Sequence, residues 1–159
     1  MKKILFFDFD GVMVTDRHQA QLMAEGQPLR DSYGTKFDQV CVEFLKQILN
    51  ATKADLVVTS TWKMEMGLEG IQRMWHERQL PGRVIDVTPD IDPIHRGNEI
   101  AEWLDACGDK CRYAIIDDTP FTDFFRKEQL PCLFKVDEHT GLDEVITKQV
   151  IDYLTTNEI

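Results

Sequence analysis

Short apolar runs alternate along the chain with stretches in which apolar residues recur every three to four positions. The runs are 4–7, 56–59, 83–87, 113–116 and 132–136. Each is brief, apolar on both faces and rich in β-branched or aromatic residues. That pattern predicts central strands of a parallel sheet covered on both sides. Between them, Val40, Cys41, Phe44, Leu45, Ile48 and Leu49 keep helical spacing and predict a helix near 38–51. Leu68, Ile71, Met74 and Trp75 predict one near 68–79, ended by Pro81-Gly82. Ile100, Trp103, Leu104 and Cys107 predict one near 96–107, stopped by Gly108. A short helix is expected at 121–128, and Leu142, Val145, Ile146, Gln149, Val150, Tyr153 and Leu154 mark a last one. Strands alternating with helices imply one open α/β sheet with right-handed crossovers, whose site lies at the carboxyl ends of the strands.

Residues 11–37 break the alternation. They show no clear helix and hold Gly11, Gly26, Pro28 and Gly34. A long irregular stretch inside a compact domain is usually functional or mobile. Because it follows the first strand directly, it is expected to form a flap over the site. Nothing else divides the chain, so 1–159 reads as one domain with 11–37 as an insertion.

The length of 159 residues fits one domain. With 18 basic against 28 acidic residues the net charge is −10, which argues against binding nucleic acid by bulk charge. A local cationic pocket or a metal site stays open. No run of 18 apolar residues exists to cross a membrane. Asp8 and Asp10 cut the first apolar run at four residues, short of a secretory core. A cytoplasmic protein is therefore expected, with no membrane partner. Cys41, Cys107, Cys111 and Cys132 contain no zinc-type pairing and read as reduced thiols.

Candidate chemistry gathers at strand ends and helix starts. Asp8-Phe9-Asp10-Gly11-Val12 closes the first strand. Strict alternation would point the two carboxylates apart. Gly11 lets the chain turn at once, so both can approach one cation. Thr59-Ser60-Thr61-Trp62-Lys63 closes the second strand, offering hydroxyls and an ammonium to a phosphoryl group. His95-Arg96-Gly97-Asn98-Glu99 opens a helix, where a cation opposes the macrodipole unless an anion sits beside it. Asp117-Asp118-Thr119-Pro120 closes the fourth strand. Two adjacent carboxylates repel unless a cation or donor lies between them, and Mg²⁺ accepts such an oxygen-rich set.

Taken in chain order, this carboxylate pair, hydroxyl, cation and second carboxylate pair resembles the four motifs of the haloacid dehalogenase (HAD) superfamily of phosphotransferases, over residues 4 to about 120. The resemblance implies a three-layer Rossmann-like fold with a central parallel sheet of about five strands, helices on both faces, and a minimal cap. It also implies roles. Asp8 is the expected nucleophile, forming an aspartyl-phosphate. Asp10 is the expected general acid and base. Ser60, or Thr59 in the alternative register, binds the phosphate, with Arg96 and Lys63 supplying charge. Mg²⁺ is the expected cofactor, held by Asp8, by Asp10 through its carbonyl, and by Asp118, with Asp117 hydrogen-bonded behind it or bridging through water. The implied reaction is hydrolysis of a phosphomonoester by a HAD-type phosphatase.

A phosphorylated small molecule is the first expected substrate. The Thr-Trp-Lys form of the second motif and the Arg-Gly of the third are also similar to a small subgroup associated with RNA end repair, so a nucleic-acid end is the second. A phosphate-binding regulatory domain without turnover is the reading from another class. It is disfavoured because Asp8 and Asp10 are both present. Trp62 is expected either to line the entrance or to pack, and Met64 and Met66 either to fill gaps or to touch substrate. Trp75, Trp103 and Phe121 are expected in the core, and His18, His76 and His139 are assigned no role.

Overall fold

The computed structural model describes residues 1–156. Five strands form one parallel sheet: β1 (Lys2–Phe7), β4 (Asp55–Val58), β5 (Val84–Val87), β6 (Cys111–Asp117) and β7 (Leu133–Lys135). Their order across the sheet is β5-β4-β1-β6-β7, with every neighbour parallel. A second, two-stranded antiparallel ribbon joins β2 (Arg30–Asp31) and β3 (Gly34–Thr35). Five α-helices complete the fold: α1 (Asp16–Ala24), α2 (Gln39–Thr52), α3 (Trp62–Glu77), α4 (Arg96–Cys107) and α5 (Glu144–Thr155).

Alternation along β1 divides the core in two. Leu5 and Phe7 face one layer, where they pack with Leu45 and Ile48 of α2, Ile71 and Met74 of α3, and Val150 and Leu154 of α5. Ile4 and Phe6 face the other, with Ile100 and Trp103 of α4 and with Phe125. The connectivity explains the division. The chain moves outward through β4 to β5, then returns past β1 to β6 and β7. Right-handed crossovers in opposite directions put their helices on opposite faces. β1 sits at that reversal, so the crevice beyond its carboxyl end is the place where α/β sheets bind ligands. Among the described residues no helix is long and apolar enough to cross a membrane.

Three details differ from the sequence pattern. Residues 11–37 are not devoid of helix: α1 lies inside them, followed by the β2–β3 ribbon. α1 buries no residue, so it has no apolar stripe to register, and its local mark is the Thr15 hydroxyl accepting from the His18 N–H at 3.1 Å. In place of a short helix at 121–128 there are two 3₁₀ turns, Thr122–Phe124 and Lys127–Cys132, the second containing Pro131. Phe121 is 56% exposed and lies outside the core, whereas Trp75 and Trp103 are buried as expected.

α3 begins earlier than its apolar period. Its first turn, from Trp62, is separated from the periodic part by a break at Gly67 (φ 64°, ψ 178°). The periodic leg therefore starts at Leu68, where the spacing puts it.

Phe6 is fully buried between Trp103 and Tyr113, with ring centroids at 5.4 and 5.7 Å in edge-to-face geometry. Replacing it removes a large side chain from a site that can collapse only partly. Phe6→Ala is expected to cost about 3–5 kcal/mol of unfolding free energy in a urea titration.

Candidate active site

Strand register aligns the site before any side chain is considered. Phe7 pairs with Val58 of β4 on one side and with Ile116 of β6 on the other. One step further, the Thr59 N–H donates to the Phe7 carbonyl at 3.0 Å and the Asp8 N–H to the Ile116 carbonyl at 3.2 Å. Thr59, Asp8 and Asp117 therefore stand in a row at the carboxyl edge of three adjacent strands. All three are buried.

After Asp8 the chain turns tightly. The Phe9 carbonyl accepts from the N–H groups of Val12, Met13 and Val14 at 3.2, 2.8 and 2.9 Å. Gly11 has φ +79°, and a Cβ there would meet the Asp118 carboxylate at 2.0 Å. The glycine is thus required twice, by its backbone conformation and by close approach. The turn brings Asp10 out to solvent, where its carboxylate accepts from the Trp62 indole N–H at 3.3 Å.

Arg96 opens α4 and reaches back to the sheet. One guanidinium nitrogen lies 2.6 Å from Asp8 Oδ2 and 3.0 Å from Asp117 Oδ2. The two carboxylates answer the unfavourable position of a cation at a helix N-terminus. The start of α4 is itself held from behind. Buried Gln129 donates from Nε2 to the Gly97 carbonyl at 2.8 Å, and its Oε1 accepts from the Arg126 N–H at 3.0 Å. A Cβ on Gly97 would meet Gln129 Oε1 at 2.4 Å and the Phe125 backbone at 2.7 Å, so only glycine lets this turn press against the helix.

Asp8, Asp117 and Asp118 offer carboxylate oxygens that all lie within 4.8 Å of one another. Three carboxylates lie beside one guanidinium, and two of them, Asp8 and Asp118, have raised pKa values. Burial pushes Asp8 up to about 7; Arg96 pulls it down, and Asp117 adds to the rise. Asp118 is pushed up to about 6, by burial first and then by Asp117. Burial works against the Arg96 charge, but Asp8 and Asp117 hold its pKa above the ordinary value. Hard oxygen ligands in excess over local positive charge fit Mg²⁺. The Asp10 carboxylate is outside this cluster, which leaves its carbonyl as its available donor to a cation there.

The hydroxyls behave differently from one another. Ser60 is fully buried and its Oγ accepts from the Trp62 N–H at 3.2 Å, which leaves its own O–H to donate. Thr59 Oγ1 is buried with no hydrogen-bond partner among the described residues. Lys63 is not held ready for a phosphate. Its Nζ lies 2.7 Å from Glu99 Oε1 and donates to Thr88 Oγ1 at 3.0 Å and to the Thr59 carbonyl at 3.3 Å, with both charged side chains buried. The other Glu99 oxygen accepts from the Ile91 and Asp92 N–H groups at 3.0 and 3.1 Å. This ion pair ties the end of β4 to the helix that carries Arg96. Glu99 and Gln129 were missed from sequence because nothing in their spacing marks them; a glutamate in the first turn of a helix reads as a dipole partner.

Beside Asp10 a cleft of about 500 Å³ opens between the first turn of α3 and the β2–β3 ribbon, with Arg30, Tyr33, Trp62, Met64, Glu65 and Met66 along it. Trp62 is half-buried and packs against Phe9 and Phe37, with centroids at 5.2 and 6.0 Å. It both lines the entrance and packs. The ribbon is tethered by Arg78, which forms two 2.8 Å bonds to Asp31 and donates to the Gly34 and Thr35 carbonyls. His139, for which no partner is evident in sequence, pairs with Asp16 at 2.7 Å.

Comparison with known proteins adds one finding. A family model described as the HAD domain in Swiss Army Knife RNA repair proteins matches residues 4–145. No curated protein and no solved structure matches the chain.

Two outcomes follow from these contacts. Glu99→Ala leaves Lys63 charged and buried without a partner, and is expected to cost about 3–5 kcal/mol in denaturant unfolding. The double change Lys63→Met with Glu99→Leu should cost clearly less. The second concerns Asp8, whose folded pKa of about 7 lies above the ordinary 3.8. The folded state then holds a proton that the unfolded chain has released, so wild-type stability falls as pH rises from about 4 to about 7. Asp8→Asn lacks that loss. Measured in EDTA, the Tm of wild type relative to Asp8→Asn should decline from pH 5 to pH 7 and then level off; a flat difference would contradict the assignment.

Proposed function

The chain belongs to the family of HAD domains found in Swiss Army Knife RNA repair proteins, and from that premise we propose that it is a Mg²⁺-dependent phosphatase that removes a terminal phosphate from a nucleic-acid end. The observation that carries the chemistry is the convergence of Asp8, Asp117, Asp118 and Arg96 at the carboxyl edge of β1 and β6. From sequence alone a phosphorylated small molecule comes first; membership of an RNA repair family moves the nucleic-acid end ahead of it.

In this reading an oxygen of Asp8 attacks phosphorus, the bond to the leaving alcohol breaks, and Asp10 gives that alcohol its proton. A carboxylate nucleophile divides one hard displacement into two easier ones. Asp10 then takes a proton from water, whose oxygen attacks phosphorus. The bond to Asp8 breaks and inorganic phosphate leaves. Asp10 suits both duties because it is exposed and steered by the Trp62 indole N–H. Ser60 donates its hydroxyl to a phosphoryl oxygen, with Thr59 the neighbouring candidate. Arg96 stabilises the charge that spreads over the phosphoryl oxygens. Lys63 takes a positioning role, holding the Thr59–Ser60 turn against the base of α4.

Asp8 and Asp118 would hold Mg²⁺ directly, with the Asp10 carbonyl beside them and Asp117 oriented by Arg96. When bound, the ion supplies charge neutralisation that lets an anionic nucleophile approach an anionic substrate. Such a protein acts on its substrate without a large cap, because only α1 and the short ribbon stand between β1 and α2.

The test is phosphate release from 5′- and 3′-phosphorylated oligonucleotides and from p-nitrophenyl phosphate. Release should require Mg²⁺, stop in EDTA, and be lost in Asp8→Asn, whose amide cannot attack. Arg96→Ala should lower kcat/KM by about 10²–10³, the scale of losing one preorganised donor. Full turnover in excess EDTA, or wild-type kcat in Asp8→Asn, would overturn the mechanism.

A further inference from the structure

Asp10 lines one wall of the cleft, and the other residues along it take no part in the phosphoryl chemistry. The cleft lies on the side of the residue that protonates the leaving group, so its occupant is the alcohol that leaves. Its surfaces are of two kinds. Trp62, Tyr33 and Met66 offer flat or soft apolar contact, and Arg30 and Glu65 offer charge. Its volume of about 500 Å³ falls in the range of ligand-sized sites.

Two features make this a built surface. Trp62 is held from one end by Asp10 and along its ring by Phe9 and Phe37, and the Tyr33 hydroxyl is bonded to Glu77. Fixed aromatic rings are how proteins stack unpaired bases. Arg30 is the second feature. Arg17, Arg78, Arg83 and Arg96 all pair with carboxylates, whereas exposed Arg30 makes no ion pair among the described residues. In a chain of net charge −10, that leaves an uncommitted cation on the rim of the cleft. Its strand is held firmly, since Arg78 binds Asp31, Gly34 and Thr35 around it.

We propose that this cleft binds the terminal nucleoside of a polynucleotide, with the base on Trp62 and Tyr33 and with Arg30 on the phosphodiester that joins it to the next nucleotide. The proposal rests on the reading of the site as a phosphatase for nucleic-acid ends, and it names what that site measures. The smallest complete substrate is a dinucleotide with a terminal phosphate; a mononucleotide lacks the group that Arg30 holds. Glu65 accepts from an exocyclic amine of the base and repels phosphate toward Arg30. A single phosphate contact reconciles the acidic chain with a nucleic-acid substrate, because recognition here is local.

The experiment compares adenosine monophosphates with adenylyl-adenosine dinucleotides, each phosphorylated at the 5′ or the 3′ end. For whichever end is cleaved, kcat/KM is expected to favour the dinucleotide by about tenfold or more, the worth of a charge-assisted hydrogen bond. Arg30→Gln should bring that ratio toward one through KM, and Arg30→Lys should restore part of it. A second readout avoids turnover: fluorescein-labelled phosphorylated dinucleotide is titrated onto the Asp8→Asn protein and followed by anisotropy. There Arg30→Gln should weaken binding and flatten the dependence of log K on log salt by about 0.7, the value for one phosphate on a single strand. A dinucleotide lacking the terminal base should bind more weakly than the complete one. An unchanged ratio in Arg30→Gln, or equal binding of the abasic probe, overturns the subsite while leaving the phosphatase reading intact. Arg30-dependent binding without hydrolysis of any substrate supports the subsite and overturns the phosphatase reading.

Discussion

The Arg96 guanidinium reaches Asp8 and Asp117 from the first turn of a helix that would otherwise repel it. Much of the surrounding structure serves that reach. Gln129 holds the Gly97 carbonyl, so the helix cannot slide along its axis. Glu99, one turn further on, grips Lys63 and the 91–92 backbone, so the helix cannot roll away from β4. The pair it serves sits on adjacent strands whose register leaves Asp8 and Asp117 side by side. Positive charge is nevertheless short at this edge: burial first, and then the neighbouring Asp117 charge, raise the pKa of Asp8 and of Asp118.

Burial is what makes the shortage matter. Exposed, three carboxylates near one guanidinium would be screened by water and would interact weakly. At the ends of adjacent central strands Asp8 and Asp117 are buried, with Asp118 half-buried beside them, and the groups feel one another strongly. The apolar packing of β1 therefore sets the electrostatics of its last residue. Phe6 and Phe7, which touch no substrate, keep Asp8 in surroundings where its charge must be answered.

Sequence patterning resolved the sheet because each strand is an apolar run with a polar residue at its carboxyl end, and the topology places those ends together. Asp8, Asp10, Thr59, Ser60, Arg96, Asp117 and Asp118 are legible as candidates because each combines a polar type with a strand end or helix start. What stayed hidden lacks that conjunction. α1 has no buried face, so hydrophobic periodicity has nothing to report. Lys63 reads from sequence as a charge for phosphate, because composition reveals a cation but not the buried Glu99, thirty-six residues on, that pairs with it. Phe121 was assigned to the core by residue type, yet the 3₁₀ turn beside it leaves the ring outside. The cleft is invisible for a similar reason, since its walls come from segments on either side of α2.

α1 contributes no side chain to either core layer, and its side-chain attachment runs through its N-terminal end: Thr15 and Arg17 to Asp38, and Asp16 to His139. Beyond Arg17 the helix buries no residue in the core. Closing a longer loop there costs only a slowly growing entropy. Insertions at this position would leave the sheet and its carboxylates untouched while enlarging whatever overhangs them. The segment is a natural growth point, where a lineage could change what reaches the carboxylate cluster without changing the cluster itself.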